Sequence, residues 1–106
     1  MAGMYHLKDL LLLAVQESAE ELLLEPTRPP RMRLHGKVRV LDGPLLTTEQ
    51  VSELLRSIAT DEQRRELELC GDAHFRYAAD HLAQFSVHAQ TQDNRLHVKI
   101  KYLGPC

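Results

Sequence analysis

The first part of the chain has the hydrophobic spacing of an α-helix followed by a short strand. Apolar side chains recur three and four residues apart within residues 5–18, at Leu7, Leu10, Leu11, Ala14 and Val15. This spacing predicts an amphipathic helix that packs by one face. The leucine run within residues 20–25 predicts a strand, which ends at Pro26 because proline fixes φ and lacks a backbone N–H.

Apolar and basic residues alternate after the prolines at positions 29 and 30. Around the central pair His35-Gly36, the apolar set is Met32, Leu34, Val38 and Val40, and the basic set is Arg31, Arg33, Lys37 and Arg39. Such alternation is typical of a strand with one buried face. We therefore expect a hairpin whose apolar set faces the core and whose basic set forms one exposed face.

Two helix starts follow, each marked by a threonine with a glutamine three residues later. Thr47 with Gln50 and Thr60 with Gln63 fit the capping box, in which each side chain accepts a hydrogen bond from the other residue's backbone N–H. The second helix is strongly charged. We expect it to end at Gly71, because glycine is favoured directly after a helix.

The remainder of the chain alternates with the period of two that strands show. The alternating stretches lie within residues 73–77, 85–89 and 96–102, and Asp93-Asn94 marks a hairpin turn between the last two. The predicted order is helix, three strands, two helices, three strands. We expect an α+β fold, an antiparallel, PAS-like sheet of about six strands with helices packed on one face.

The composition is that of an ordinary globular domain. Apolar residues make up 43% and charged residues 26% of the 106, with a net charge of −2. We expect a single domain over residues 1–106, with residues 1–4 as a flexible N-terminal flank. The charge balance predicts no nucleic-acid partner. Without a signal peptide or a long apolar stretch, the chain is expected to be cytoplasmic, with reduced thiols and no membrane insertion.

Several short segments stand in a fixed order along residues 7–103. Residues 29–38 read PPRMRLHGKV, 46–50 read LTTEQ, 60–63 read TDEQ and 84–87 read QFSV. They are similar to the PPMxRxxGxL hairpin, the LTPE and TDEQR helix starts and the RFRVN strand of the PilT/GspE family of type IV pilus and type II secretion ATPases. The chain therefore resembles the N-terminal, PAS-like domain of that family.

The resemblance also indicates what the chain has lost. In the family, arginines near the RFRVN strand reach an ATP bound by a neighbouring module. The matching positions here are Gln84, Ser86, Thr91 and Asp93, with Lys101 further along. Neutral and acidic groups cannot make the bidentate, charge-assisted contact of a guanidinium with phosphate. The sequence also has no G-x-x-x-x-G-K-[ST] loop, so we expect no ATPase core, no cofactor and no enzymatic activity.

The other chemically capable residues are interpreted as structural. Carboxylates crowd onto the predicted helix faces, where we expect solvated ion pairs. His74, His88 and His97 are predicted to share the polar face of three adjacent strands, which leaves a metal site as the alternative to solvent-facing imidazoles. Cys70 and Ser86 have no base in a catalytic pattern, so we expect a buried thiol and a strand hydroxyl. No catalytic residue and no metal ligand is predicted.

The basic hairpin is the predicted partner-binding surface. It comprises Arg28, Arg31, Arg33, Lys37 and Arg39. Such a surface favours docking onto an acidic protein surface through electrostatic complementarity. We expect a non-catalytic interaction or regulatory module of type IV pilus or secretion machinery. Its protein partner would be an ATPase of the family or, in a homo-oligomer, a second copy of the chain.

Two alternative functions stay open. A PAS-like small-ligand sensor would need a sizeable apolar cavity lined by Phe75, Phe85 and their neighbours. A degenerate fragment of an ATP-binding motor would still have to bind nucleotide.

Overall fold

A computed structural model describes residues 5–79 and 83–104 of the chain. Three helices and six strands follow one another in the predicted order. They are α1 (Leu7–Gln16), β1 (Glu21–Leu24), β2 (Arg31–Leu34), β3 (Lys37–Val40), α2 (Thr48–Arg56), α3 (Asp61–Cys70), β4 (Asp72–Ala79), β5 (Ala83–Gln92) and β6 (Arg95–Gly104). The expected flank at residues 1–4 lies outside the described residues.

The six strands form one open sheet in the order β3-β2-β1-β6-β5-β4. Every neighbouring pair is antiparallel. β1 pairs with β6 at the centre, so the first three strands and the last three join into a single sheet. The predicted α+β fold with a six-stranded antiparallel sheet is confirmed.

The helices cover one face of this sheet. Leu22, Ile100 and Val87 lie side by side across β1, β6 and β5, and all three are buried. Leu11 of α1 and Val51 of α2 belong to the same hydrophobic cluster. Burying one such side chain contributes roughly 1.5–3 kcal/mol, so this layer accounts for much of the stability. We call the opposite side of the sheet the outer face.

Local signals set the ends of α2 and α3 as predicted. Thr60 Oγ1 accepts a hydrogen bond from Gln63 N over 3.1 Å, and Gln63 Oε1 accepts one from Thr60 N over 2.9 Å. Thr47 and Gln50 form the same capping box at the start of α2. Helix α3 ends at Gly71, whose φ of 74° is a left-handed conformation that glycine adopts without steric cost.

Two-residue turns close the β2–β3 and β5–β6 hairpins. His35 and Gly36 join β2 to β3 with φ values of 50° and 80°, and Asp93 and Asn94 join β5 to β6 with 54° and 63°. Positive φ at both central residues defines the type I′ turn, whose twist suits a tight hairpin.

The prediction of one basic face on the first hairpin is wrong. Directly opposed residues of an antiparallel pair share a face, and the register sets Arg33 against Val38 and Met32 against Arg39. Arg31 and Arg33 therefore lie on the outer face with the two valines, whereas Lys37 and Arg39 lie on the helix side. The two-residue turn is the reason for this split of the basic residues. Every second residue stays on the same face from one strand to the next only when the turn between the strands has an odd number of residues.

Candidate partner-binding surface

No helix or strand of the described residues covers the outer face, and this face is rich in positive charge. Its cationic side chains are Arg31, Arg33, Arg76, Arg95, Lys99 and Lys101, its carboxylates are Glu21, Glu25 and Asp72, and its histidines are His74, His88 and His97. Helices α1 to α3 instead carry seven acidic and four basic residues. Opposite charge therefore predominates on the two sides of the domain.

Glu25 is the centre of an ion-pair cluster at the end of β1. Its Oε2 lies 3.0 Å from Arg31 Nη2 and 3.6 Å from Arg28 Nε. Its Oε1 lies 3.5 Å from His97 Nδ1. The Arg31 side chain is only 18% exposed, so this guanidinium is largely desolvated and held in place by the carboxylate.

The other hairpin arginines are paired as well. Arg33 Nη1 lies 2.9 Å from Glu21 Oε1, directly across the β1–β2 ladder. Arg39 Nη1 lies 2.9 Å from Glu17 Oε1 on the helix side. Each of the four predicted arginines thus has a glutamate neighbour, and sequence reasoning missed all of these partners.

Four cations on β4 and β6 form no ion pair with any residue that the structure describes: Arg76, Arg95, Lys99 and Lys101. The register places Lys101, Ser86 and Arg76 in one row across β6, β5 and β4. Lys99 lies in the adjacent row. The unneutralised positive charge of the outer face therefore lies over β4 to β6, away from the hairpin where the sequence predicted it.

The three histidines share the outer face, as predicted. His74 and His88 are directly opposed, with ring centroids 5.4 Å apart. His74 Nε2 shares a hydrogen bond with Ser86 Oγ over 2.7 Å, and His88 Nε2 shares one with Asp72 Oδ1 over 2.5 Å. Within residues 5–79 and 83–104, no group of three histidine, cysteine or carboxylate side chains is arranged to hold a metal ion. Of the remaining histidines, His81 lies outside the described residues.

The described part of the chain buries no polar or charged side chain. Cys70 is exposed, so the expectation of a buried thiol is wrong; the residue ends α3 instead of packing into the core.

Burial raises the pKa of the Tyr5 hydroxyl above its usual value, and this hydroxyl donates a hydrogen bond to Pro44 O over 2.7 Å. That contact ties the start of α1 to the loop before α2, which is a structural role.

The positions that match the family's ATP-contacting arginines do not converge on one site. Ser86 and Lys101 are directly opposed on the outer face, and Gln84 lies on the same side of β5. Thr91 points to the helix side, and Asp93 is in the hairpin turn.

Phe85 borders a cavity of about 200 Å³ beside α1. Its lining is Lys8, Asp9, Leu11, Leu12, Val15, Ala79, Ala83 and Phe85. Ligand cavities usually occupy roughly 300–1,000 Å³, and Phe75 is not part of the lining. This cavity is smaller than a PAS-like small-ligand sensor would need.

Comparisons with known proteins find similarity to two type IV pilus ATPases. Over 85 residues it is 32% identical to the type IV pilus retraction ATPase PilT of Pseudomonas aeruginosa, which covers 80% of this chain. Over 87 residues it is 28% identical to the type IV pilus ATPase PilU of the same organism, covering 82% of the chain. The chain is related to the N-terminal region of PilT and PilU. No protein-family model matches it.

Solved structures share the fold. The pilus retraction motor PilT with bound ADP superposes with a TM-score of 0.84 at 22% identity, over 92% of this chain and 29% of that one. The ATPase DotB of Legionella pneumophila gives 0.73 at 14% identity, over 95% of this chain and 29% of that one. The chain spans about a quarter of the length of the curated relatives, 25% of PilT and 23% of PilU.

No helix among the described residues is long and apolar enough to cross a membrane.

Proposed function

We propose that the chain is a non-catalytic interaction or regulatory module that acts through protein–protein contacts in type IV pilus or secretion machinery. It acts in the cytoplasm, and its partner is an ATPase of the PilT type. The relationship to PilT and PilU supports this choice of partner, since both are named as type IV pilus ATPases.

The uncovered, cationic outer face is the observation that carries the proposal. The described residues bury no polar side chain, and the His74–Ser86 and His88–Asp72 pairs lie exposed on this open face. An open face with unneutralised Lys99, Lys101 and Arg76 instead suits an acidic protein surface, because complementary charge speeds association and orients the partners.

The predicted hairpin residues differ in their position relative to this contact. Arg31 and Arg33 extend the cationic face at one side of Lys99 and Lys101, although their glutamate partners reduce the net charge there. Arg28 lies beside Arg31 at the shared Glu25, whereas Lys37 and Arg39 lie on the helix side and are outside the outer face.

Size-exclusion chromatography with purified P. aeruginosa PilT tests the proposal. The wild-type chain should co-elute with PilT at micromolar concentration, and a Lys99→Glu and Lys101→Glu double variant should not. Arg65→Glu is the matched control, because Arg65 is an exposed cation of the helix layer. If wild type fails to co-elute at high micromolar concentration, the proposed role is wrong. If the double variant and the control both co-elute like wild type, the outer face is not the contact.

A further inference from the structure

Strand β3 is one edge of the sheet, and all four of its residues are exposed. Val38 and Val40 are 47% and 55% exposed, which is unusual for large apolar side chains in a strand. An edge strand presents a row of unpaired N–H and C=O groups, and another strand can pair with them. At the opposite edge, by contrast, α3 packs against β4.

The hydrogen-bond pattern of the hairpin fixes which backbone groups face the open edge. Leu41 N donates to Pro30 O over 2.9 Å, which identifies a hydrogen-bonded pair. Hydrogen-bonded and non-hydrogen-bonded pairs alternate along an antiparallel ladder. The register therefore makes Val40 and Val38 members of non-hydrogen-bonded pairs. Their N–H and C=O groups point away from β2, toward the open edge.

The side chains at this edge also alternate. Val38 and Val40 lie on the outer face, whereas Lys37 and Arg39 lie on the helix side. In a strand added at this edge, a first set of alternate side chains would lie beside Val38 and Val40. The second set would lie beside Lys37 and Arg39. Opposite charges directly across a strand pair stabilise it, so acidic residues are favoured at the second set of positions.

A second copy of β3 fits this edge poorly. In an antiparallel pair of two copies, Val38 of each copy would lie opposite Val40 of the other. This register sets the two Arg39 side chains directly opposite each other. Like charges directly across a ladder are destabilising, and edge cations are a recognised barrier to self-pairing. Lys37, which has no ion pair among the described residues, attracts a strand of opposite charge, and Arg39 adds to this attraction although Glu17 already pairs with it.

We propose that the open edge of β3 accepts, by strand addition, an extended segment of another protein in which acidic and apolar residues alternate. This inference rests on the proposed interaction role and names the chemistry of the partner's segment. Main-chain hydrogen bonds to Val38 and Val40 supply the affinity, and the flanking side chains select the sequence.

Two synthetic peptides probe the edge, Ac-SEVEVEVS-NH2 and its basic counterpart Ac-SKVKVKVS-NH2. In NMR titrations the acidic peptide should shift the amide resonances of β3. At saturation it should slow hydrogen exchange at Val38 and Val40 by at least about tenfold, since these amides become paired. The basic peptide should leave them unchanged. Equal binding of both peptides, or shifts confined to other strands, would overturn the inference.

Paired variants separate the backbone effect from the charge effect. Val38→Pro removes an N–H that points to the open edge, and edge strands tolerate proline at such a position. This variant should weaken binding of the acidic peptide about tenfold or more. Val38→Thr, which keeps the N–H, should not weaken it. Lys37→Glu should weaken the acidic peptide and favour the basic one. Arg65→Glu, on α3 at the opposite edge of the sheet, is its control. If Val38→Pro does not fold, the Lys37 and Arg65 comparison still decides.

The PilT co-elution experiment distinguishes the two proposals. If Lys37→Glu co-elutes like wild type, strand addition at β3 is not the mode of contact, and the interaction role stands. If peptides bind at β3 but wild type does not co-elute, the edge proposal stands and PilT is excluded as the partner.

Discussion

Glu25→Gln should destabilise the domain more than removal of an ordinary surface carboxylate. The main loss is the pair with Arg31, whose atoms are 3.0 Å apart and whose side chains are 18% and 27% exposed. Exposed pairs are worth about 0.2–1 kcal/mol, and breaking a fully buried pair costs about 3–5 kcal/mol. This pair lies between those limits and nearer the first, so we expect a loss of about 1–2 kcal/mol.

Urea unfolding followed by circular dichroism measures this change, and Glu20→Gln is the control. Glu20 is an exposed neighbouring carboxylate with no ion pair among the described residues. A loss of 1 kcal/mol corresponds to a fall in Tm of about 4–8 °C for a domain of this size. A double-mutant cycle with Arg31→Met should give a coupling energy of about 1 kcal/mol. If Glu25→Gln and Glu20→Gln agree within about 0.5 kcal/mol, the stabilising role assigned to Glu25 is wrong.

Three further stability predictions use the same unfolding assay. Thr60→Ala removes the acceptor for Gln63 N and should cost about 1 kcal/mol, whereas Thr60→Ser should cost much less. His35→Asn should add about 0.5 kcal/mol, because asparagine tolerates the positive φ of the type I′ turn well; any loss would contradict that turn. Gly43→Ala should cost at least about 1 kcal/mol, since the new methyl group meets the Tyr5 hydroxyl and φ is +152°. Tyr5→Phe should reduce that cost, and an unchanged cost would refute the clash.

The sequence predicts the elements of this fold because their ends depend on nearby residues. Each capping box joins residues three positions apart, and Gly71 ends α3 through its own φ. The Asp93-Asn94 turn is likewise contained in two residues. Such signals are local, so the chain displays them without knowledge of the tertiary structure.

The sequence did not determine which side chains of the first hairpin share a face. A pairing of Leu34 with residue 38 would have kept all four cations together, but the structure pairs Leu34 with Lys37. A shift of one residue in the register moves every later side chain to the other face. The short His35-Gly36 turn was the available signal, since it favours a two-residue loop.

The glutamate partners of the arginines depend on contacts distant in the sequence. Glu21 meets Arg33 only because β1 pairs with β2, and Glu17 meets Arg39 only because α1 ends beside the sheet edge. Spacing along the chain carries no record of either contact. Consequently the sequence predicted a free basic surface on the hairpin, and the predicted binding surface did not include the unpaired cations of β4 and β6.

The separation of acidic helices from a cationic sheet gives the domain an electric dipole roughly perpendicular to the sheet. A charged partner exerts a torque on such a dipole, so the domain is turned before it touches. In physiological salt the Debye length is about 8 Å, which confines this turning to the final nanometre of approach. Added salt should therefore slow the formation of a complex more than it shortens the lifetime of one already formed.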